Sequence, residues 1–520
     1  MKVISSLQVA QLIEDGATVG VGGFGSYSAP DEILQGIEKN YQINSHPGKL
    51  TIFSSVCSGN NTTADIGHNR LTPIGLVDTV IAAHFKNADK LYQLVGENKI
   101  AGFTLPLGTI VDLLRSAVAN QPGVITRIGL NTYVDPRQGT CAVNEKARQQ
   151  QRDLVSVVEI NDNKYLFYKT IPLNACIIRG TYADEQGNIS FEHEGIQELQ
   201  FLMALAAHNN NGIVIVQVEN IVQNGSIPAR KIGIHHSIVD YVVIAKPENH
   251  FQSYAVNSYH PELSGELRIP QVALKPMDFN IRKIIARRGV LELQPNSVIN
   301  LGIGIPSGVG SIANEEGIAT KTILSLESGP LGGVPAEGTG FGGSANFEAM
   351  YALADNLKYY DGGGLDMAFL GLAEVDQNGD VNVSHFGRGC AGPGGFIDIT
   401  QNTSQVYFMG TFTVTRPRLE INNEQLSIQE DGQGIKFVKK VQEVTFSADY
   451  ARKYNRKILY ITERAVFRLT EHGIMLIEIA PGIDLQQDIL AHMKFQPIIS
   501  KDLKLMDKRL FSPEKMGIHF

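Results

Sequence analysis

The sequence runs to 520 residues, 43% hydrophobic and 19% charged, with a formal net charge of −8. That length and balance suit a soluble protein of two to four domains with ample core-building material. The acidic balance, the lack of any basic run of five or more residues and the lack of a long unbroken apolar stretch exclude two things: an electrostatic footprint for nucleic acid and a bilayer-spanning helix.

At the amino terminus, MKVISSLQVAQLIEDG has spaced apolar residues with Glu14 and Asp15 close behind, an amphipathic helix over 7–13 rather than a signal peptide. A cytoplasmic protein is expected. The cysteines, Cys57, Cys141, Cys176 and Cys390, include no C-x-x-C pair, which speaks against a disulfide framework or a zinc site and fits a reducing compartment.

Next come a strand with a glycine loop, Thr18 to Gly25, a helix over 30–39, and the strand Lys49 to Ser55. The same order returns after residue 280: a helix over 281–291, Asn300-Leu301-Gly302-Ile303-Gly304-Ile305-Pro306, a helix over 308–316, then Lys321 to Glu327. Aligning the two glycine loops puts Gly20 on Gly302 and Gly22 on Gly304, and Ser55 falls on Glu327. A later pair of segments also matches: Asn174 to Gly180 with its turn Asp184–Asn188, and Asp366 to Gly371 with its turn Asp376–Asp380. Strands alternating with helical patterns, with glycine where strand passes to helix, predict βα units and mostly parallel sheets. The expected architecture is therefore α/β: two tandem related Rossmann-like domains, 1–255 and 275–520, joined by a polar, aperiodic stretch with Pro270 and Pro276. A final helix is expected over 484–493, with a charged tail after Lys501 lying on a surface.

Three glycine-rich sites bear on chemistry. Gly20-Val21-Gly22-Gly23-Phe24-Gly25 is a literal GxGxxG, but a dinucleotide site needs an acidic residue at the end of the next strand, and that strand ends in Ser54-Ser55. The second copy ends its next strand in Glu327, followed by Ser328-Gly329-Pro330 and a glycine-rich loop. A carboxylate there sits where open α/β sheets bind ligands. The third site, Arg388 to Asp398, offers free amides at Gly394 and Gly395 as a pocket for developing negative charge. No G-x-S-x-G and no H-x-x-x-H or H-E-x-x-H pattern occurs, so neither a serine hydrolase nor a metal site is expected.

These segments resemble the family I CoA-transferases, most closely the single-chain acetate/propionate (short-chain acyl) type. The resemblance is carried in order by GVGGFG at 20–25, VDPRQ at 134–138, LGIGIP at 301–306, LESGPLGG at 326–333, YDGGGLDMAFL at 360–370, AEVDQNGDVNVS at 373–384, GPGGFIDI at 392–399, ITERAVF at 461–467 and EIAPGIDLQQDIL at 478–490. It implies that the second domain carries the covalent nucleophile, Glu327, and that Gly302, Ile303, Gly304, Ile305 and Pro306 contact CoA. It further implies that Gly394 and Gly395 supply an oxyanion amide, whose partner is sought in the loop Val56 to Ser58. CoA is then substrate and covalent intermediate, with no permanently bound cofactor. The partners are acyl-CoA and short-chain carboxylates, and the resemblance suggests a homo-oligomer, commonly a tetramer.

The chemistry accounts for a carboxylate nucleophile. Attack on a thioester gives an acyl-glutamyl anhydride and CoA thiolate; the thiolate then takes the glutamyl carbonyl and frees the acid, and an acceptor carboxylate reverses the steps, a ping-pong course. Water has to be excluded, and 330–341 is the candidate cover. An acyl-CoA hydrolase on the same fold and a non-enzymatic acyl-CoA sensor are the competing readings.

Overall fold

The computed structural model describes residues 2–256, 258–270, 276–336, 338–387, 389–415 and 417–520. Lys275, which opens the expected second domain, Glu337 in the candidate cover and Arg388 at the head of the third glycine loop lie outside the described residues.

The first half forms an eight-stranded sheet from β1 (Lys2–Val3), β2 (Thr18–Val21), β3 (Leu50–Val56), β4 (Val77–His84), β5 (Ala101–Thr104), β6 (Ala175–Arg179), β7 (Ile213–Val218) and β8 (Tyr241–Ile244). Its order is β1-β8-β7-β6-β2-β3-β4-β5, and every neighbouring pair is parallel. β3 is buried at every position, its Thr51, Ser54 and Ser55 included, as a parallel sheet covered on both faces requires.

The second half forms a ten-stranded sheet from β9 (Val298–Leu301), β10 (Ile323–Ser325), β11 (Pro330–Leu331), β12 (Ala349–Met350), β13 (Met367–Gly371), β14 (Gln405–Met409), β15 (Lys457–Ile461), β16 (Ala465–Thr470), β17 (Gly473–Ile479) and β18 (Ile498–Leu505). Its order is β12-β11-β10-β9-β13-β14-β15-β16-β17-β18. The run β10-β9-β13-β14-β15 is parallel and repeats the run β3-β2-β6-β7-β8. The second half adds an antiparallel extension, β15-β16-β17.

The repeat extends to single hydrogen bonds. In the turn after β6 the Asp184 carboxylate accepts from the amides of Gln186, Gly187 and Asn188, and in the turn after β13 Asp376 accepts from Asn378, Gly379 and Asp380. Such an aspartate fastens a tight turn that water would otherwise solvate.

Pairing in the sheets fixes the register of the two halves and corrects one expectation. Val19 sits opposite Ala175 as Ile299 sits opposite Met367, and the Gly22 amide donates to the Ile177 carbonyl as Gly302 donates to Phe369. Gly22, not Gly20, is thus the counterpart of Gly302. The glycine-letter match slipped by two residues because β2 has a glycine inside the strand where β9 has Asn300. Ile52 pairs with Val19 and Leu324 with Ile299, so Ser55 does fall on Glu327.

Four helices place the site: α1 (Ser6–Leu12), closed by a Ser5–Gln8 capping box, α2 (Asp31–Asn44), α3 (Gln200–Asn209) and α4 (Phe396–Asn402). The expected final helix over 484–493 is instead a single wide turn, Leu485–Ile489, followed by the short turn Leu490–His492. Beyond it the chain returns as edge strand β18 and docks Leu510 and Phe511 into the core. The buried Arg287 guanidinium holds that tail by donating to the carbonyls of Arg509, Leu510, Ser512 and Glu514.

Candidate active site

Glu327 follows β10 at the carboxyl end of the sheet, and the segment behind it is rigidly tied. The Leu326 amide donates to the Pro330 carbonyl, Gly329 donates to Leu326, and Asn356 Nδ2 donates to the Leu326 carbonyl at 2.7 Å. Gly329 has φ +122°, and a Cβ there would lie 2.0 Å from the Tyr351 carbonyl oxygen, so the glycine of the E-S-G sequence is a steric requirement of this turn. The Glu327 side chain is half-buried. Burial pushes its carboxyl up to about 7, against the opposing pull of the Gly395 amide.

Gly395 is the N-cap of α4. A Cβ on it would sit 2.0 Å from Glu327 Oε2, so only glycine brings a backbone N–H onto that carboxylate. Gly394 departs from expectation: its amide donates to the Ala83 carbonyl at 3.0 Å and its carbonyl accepts from Leu107. It therefore has no free N–H for a reacting oxygen. Its conformation, φ +54°, serves as a staple between the halves. The tight turn that was read as two free amides spends one of them on the neighbouring sheet.

Glu327 opens into a cavity of about 250 Å³ at the carboxyl ends of both sheets. Gly302 and Ile303 line one side, whereas Gly304, Ile305 and Pro306, which continue the turn, do not line it. That turn is closed by the Ser307 hydroxyl donating to Gly304 and the Gly308 amide donating to Ile305. Phe24, Gly25 and Val56 form the opposite wall. Of the three candidate partner residues, Cys57 donates its amide to His84 and Ser58 donates its amide to His68 Nδ1, and Val56 alone lines the cavity. Of the candidate cover, Gly338, Thr339 and Phe341 line the cavity, and the Tyr27 hydroxyl of the first half donates to the Gly340 carbonyl at 2.8 Å.

Four polar lining residues were not singled out from the sequence: Asn61, His84, Asn87 and Asn300. His84 ends β4 opposite Val56, and burial together with the nearby Lys86 charge lowers its imidazole to about 4, so it is neutral at pH 7. Asn300 donates to the Ser325 carbonyl, while its Oδ1 is buried without a partner among the described residues. The one visible signal was position: His84 and Asn300 stand in the last two residues of parallel strands, and Asn87 and Asn61 follow strand ends by three and five residues.

Among the described residues one group of side chains has metal-ligand character: His385, Cys390 and Glu443, whose donor atoms lie within 4.8 Å of one another. His385 faces Cys390 across a two-residue hairpin and pairs with Glu443 at 3.4 Å. Burial and the Glu443 charge push the Cys390 thiol up to about 12, the behaviour of a neutral core thiol. All four cysteines are buried and free. No helix among the described residues is long and apolar enough to cross a membrane.

Comparison with known proteins bears on this geometry. Residues 5–245 match the family described as Coenzyme A transferase. A caffeate CoA-transferase of Acetobacterium woodii is 42% identical over 522 residues, covering 99% of this chain and 98% of that protein. The acetate CoA-transferase YdiF of Escherichia coli (strain K12) is 38% identical over 516 residues, covering 99% of this chain and 96% of that protein. A crystal structure of the acyl-CoA transferase from E. coli O157:H7, described as a thioester complex with CoA, superposes with a TM-score of 0.93 at 37% identity, covering 100% of this chain and 97% of that one.

Proposed function

The chain belongs to the coenzyme A transferase family as a single-chain family I member, and we propose on that premise that it transfers CoA between short-chain acyl-CoA donors and carboxylic acids through a glutamyl-CoA thioester on Glu327. The observation that carries this reading is the placement of one carboxylate, at the mouth of a cavity, against the Gly395 amide. One Glu327 oxygen attacks the thioester carbonyl and the C–S bond breaks, leaving the acyl-glutamyl anhydride and CoA thiolate. The thiolate attacks the glutamyl carbonyl; the freed acyl carboxylate leaves, and an acceptor carboxylate runs the two steps backward. No proton is consumed, but Glu327 has to be ionised to begin.

In this reading the Gly395 N–H and the Val56 region bracket the oxyanion, a stabilisation worth about 3 kcal/mol per donor. CoA enters along the Gly302–Ile303 side, and the 330–341 cover keeps water from the anhydride. The two sheets correspond to functional units at 1–255 and 275–520, the second bearing the nucleophile. The named substrates of the two relatives, acetate and caffeate, differ greatly in size, and a cavity of about 250 Å³ has room for acids larger than acetate beside the thiol end of CoA.

Intact and peptide mass analysis after mixing with acetyl-CoA tests the reading. The expected result is addition of CoA to the peptide holding Glu327, reversed by acetate and absent in Glu327→Ala. Steady release of CoA from an unmodified Glu327 peptide would replace transfer with hydrolysis, and binding without any labelling would leave a sensor.

A further inference from the structure

The repeat leaves one buried carboxyl that the transfer chemistry does not use. Ser55 occupies in the first half the strand-end position of Glu327, and Leu199 caps α3 as Gly395 caps α4. Just before that cap stands Glu198, only 6% exposed, with its Oε1 2.8 Å from Ser55 Oγ. The first half thus builds the same corner, a carboxyl between a strand end and a helix N-cap, with the carboxyl on the helix side and the hydroxyl on the strand.

Neither Ser55 nor Glu198 lines the reaction cavity. The corner grips the glycine turn instead: Ser55 Oγ lies 3.2 Å from the Gly23 carbonyl oxygen as well as 2.8 Å from Glu198. A serine hydroxyl carries one proton and cannot donate to both. A proton on Glu198 resolves the conflict, with Glu198 donating to Ser55 Oγ and Ser55 donating to Gly23. Burial favours that form by pushing the Glu198 carboxyl up to about 7, although the Ser55 hydroxyl and the Leu199 and Gly23 amides pull the other way. Among the described residues Glu198 Oε2 is buried without a full hydrogen bond, as a neutral carboxyl tolerates better than a carboxylate.

Both ends of the pair adjoin the reaction cavity. Phe24 follows Gly23 and Val56 follows Ser55; the two pair as an isolated bridge and together form the wall opposite the Gly302 turn. Gly23 has φ +117°, and a Cβ there would lie 2.9 Å from the Ser58 side chain and 3.3 Å from Ala29 Cα, so the turn requires glycine at this position. We propose that Ser55 and Glu198 are a positioning pair that fixes the Phe24–Val56 wall and so sets which acyl groups fit beside Glu327. This rests on the reading of Glu327 as the reacting carboxylate, and the pair itself touches no substrate.

The test compares kcat/KM for butyryl-CoA with that for acetyl-CoA in the full-length wild type, Glu198→Leu, Ser55→Ala and Glu198→Gln. The ratio of two substrates is unaffected by how much of a preparation is folded, so a purely structural role leaves it unchanged. A wall released by Glu198→Leu or Ser55→Ala is expected to shift the ratio by about fivefold or more, within what a methylene or two of misfit commands. Glu198→Gln, whose amide can still donate to Ser55, is expected to bring it back to within about twofold of wild type. A ratio that stays at the wild-type value in Ser55→Ala, or in a folded Glu198→Leu, overturns the proposal. Parallel mass analysis of the wild type separates this from failure of the transfer reading, because absence of the Glu327 adduct refutes that reading while the ratio still reports on the wall.

Discussion

The two halves of this chain solve one local problem twice. At the end of the second strand of each repeat, beside the N-cap of the helix that follows the turn hairpin, a carboxyl group is held in a corner and pushed up to about 7 by burial. In the first half it is Glu198, sealed under Ser55 and the glycine turn. In the second it is Glu327, turned outward onto the cavity against the Gly395 amide. The comparison teaches that neither the perturbed carboxyl nor the scaffold makes the site by itself, since both halves have both. What differs is the side of the corner the carboxyl comes from, and hence whether a cavity meets it.

The sharpest way to break the comparison is to exchange the caps. Leu199 is buried in the first half where the second has Gly395, and Leu199 fits because no strand-end carboxylate approaches it. Gly395→Ala places a methyl where Glu327 Oε2 now lies, 2.0 Å from the built Cβ. Displacing the nucleophile by about 1 Å costs on the order of 100-fold, so thioester formation, followed by mass after mixing with acetyl-CoA, should slow by that much. Glu327→Asp, one methylene short, should lose a similar factor, whereas an unimpaired Gly395→Ala would show that the amide does not set the carboxylate.

How far this was legible in the sequence follows from the same residues. The repeat, the parallel sheets and Glu327 at a strand end could be read from apolar runs ending in glycine, because strand periodicity and turn chemistry are local. The register of the glycine loops could not, since Gly20 and Asn300 occupy equivalent strand positions and only the pairing with β6 and β13 shows it. Gly394 was misread because whether an amide is free depends on a carbonyl 311 positions away, that of Ala83. Glu198 and His84 went unnoticed for a similar reason: their environments are assembled by other strands. The chain over 484–493 was read as a helix and the tail after Lys501 as a charged surface segment, because an edge strand such as β18 alternates too weakly to announce itself.

The two carboxyls should also differ in their response to pH. Glu327 has to be ionised to attack, so the rate of thioester formation should rise about tenfold per unit up to about pH 7 and then level off. Glu198 needs no ionisation. A carboxyl whose folded pKa lies above its unfolded value stabilises the fold below the unfolded value, and that contribution is lost as pH rises toward the folded one. For Glu198 the window runs from about 4.5 to about 7, and it is bounded by Glu194, which raises the carboxyl further and is itself paired with Arg179 at 2.8 Å. Glu198→Gln removes the titration. Its melting temperature should be close to that of the wild type at pH 5 and exceed it at pH 8, by an amount set by up to roughly 3 kcal/mol. An unchanged difference across that range would mean that Glu198 is ionised throughout.

The smallest expected effect concerns the contact through which the first half closes the second. Tyr27 is fully buried, and its hydroxyl donates to the Gly340 carbonyl of the cover at 2.8 Å. Tyr27→Phe keeps the ring and removes one neutral hydrogen bond, worth about 1 kcal/mol, so transfer itself should fall by only a few fold. The more telling quantity is leakage. If the cover keeps water from the anhydride and thioester, loosening it should raise the rate at which the Glu327 adduct decays to free CoA when no acceptor is present, while acetate-dependent turnover changes little. Adduct lifetime measured by mass over time reads this directly. A lifetime equal to that of the wild type would show that the Tyr27 hydrogen bond does not hold the cover against water.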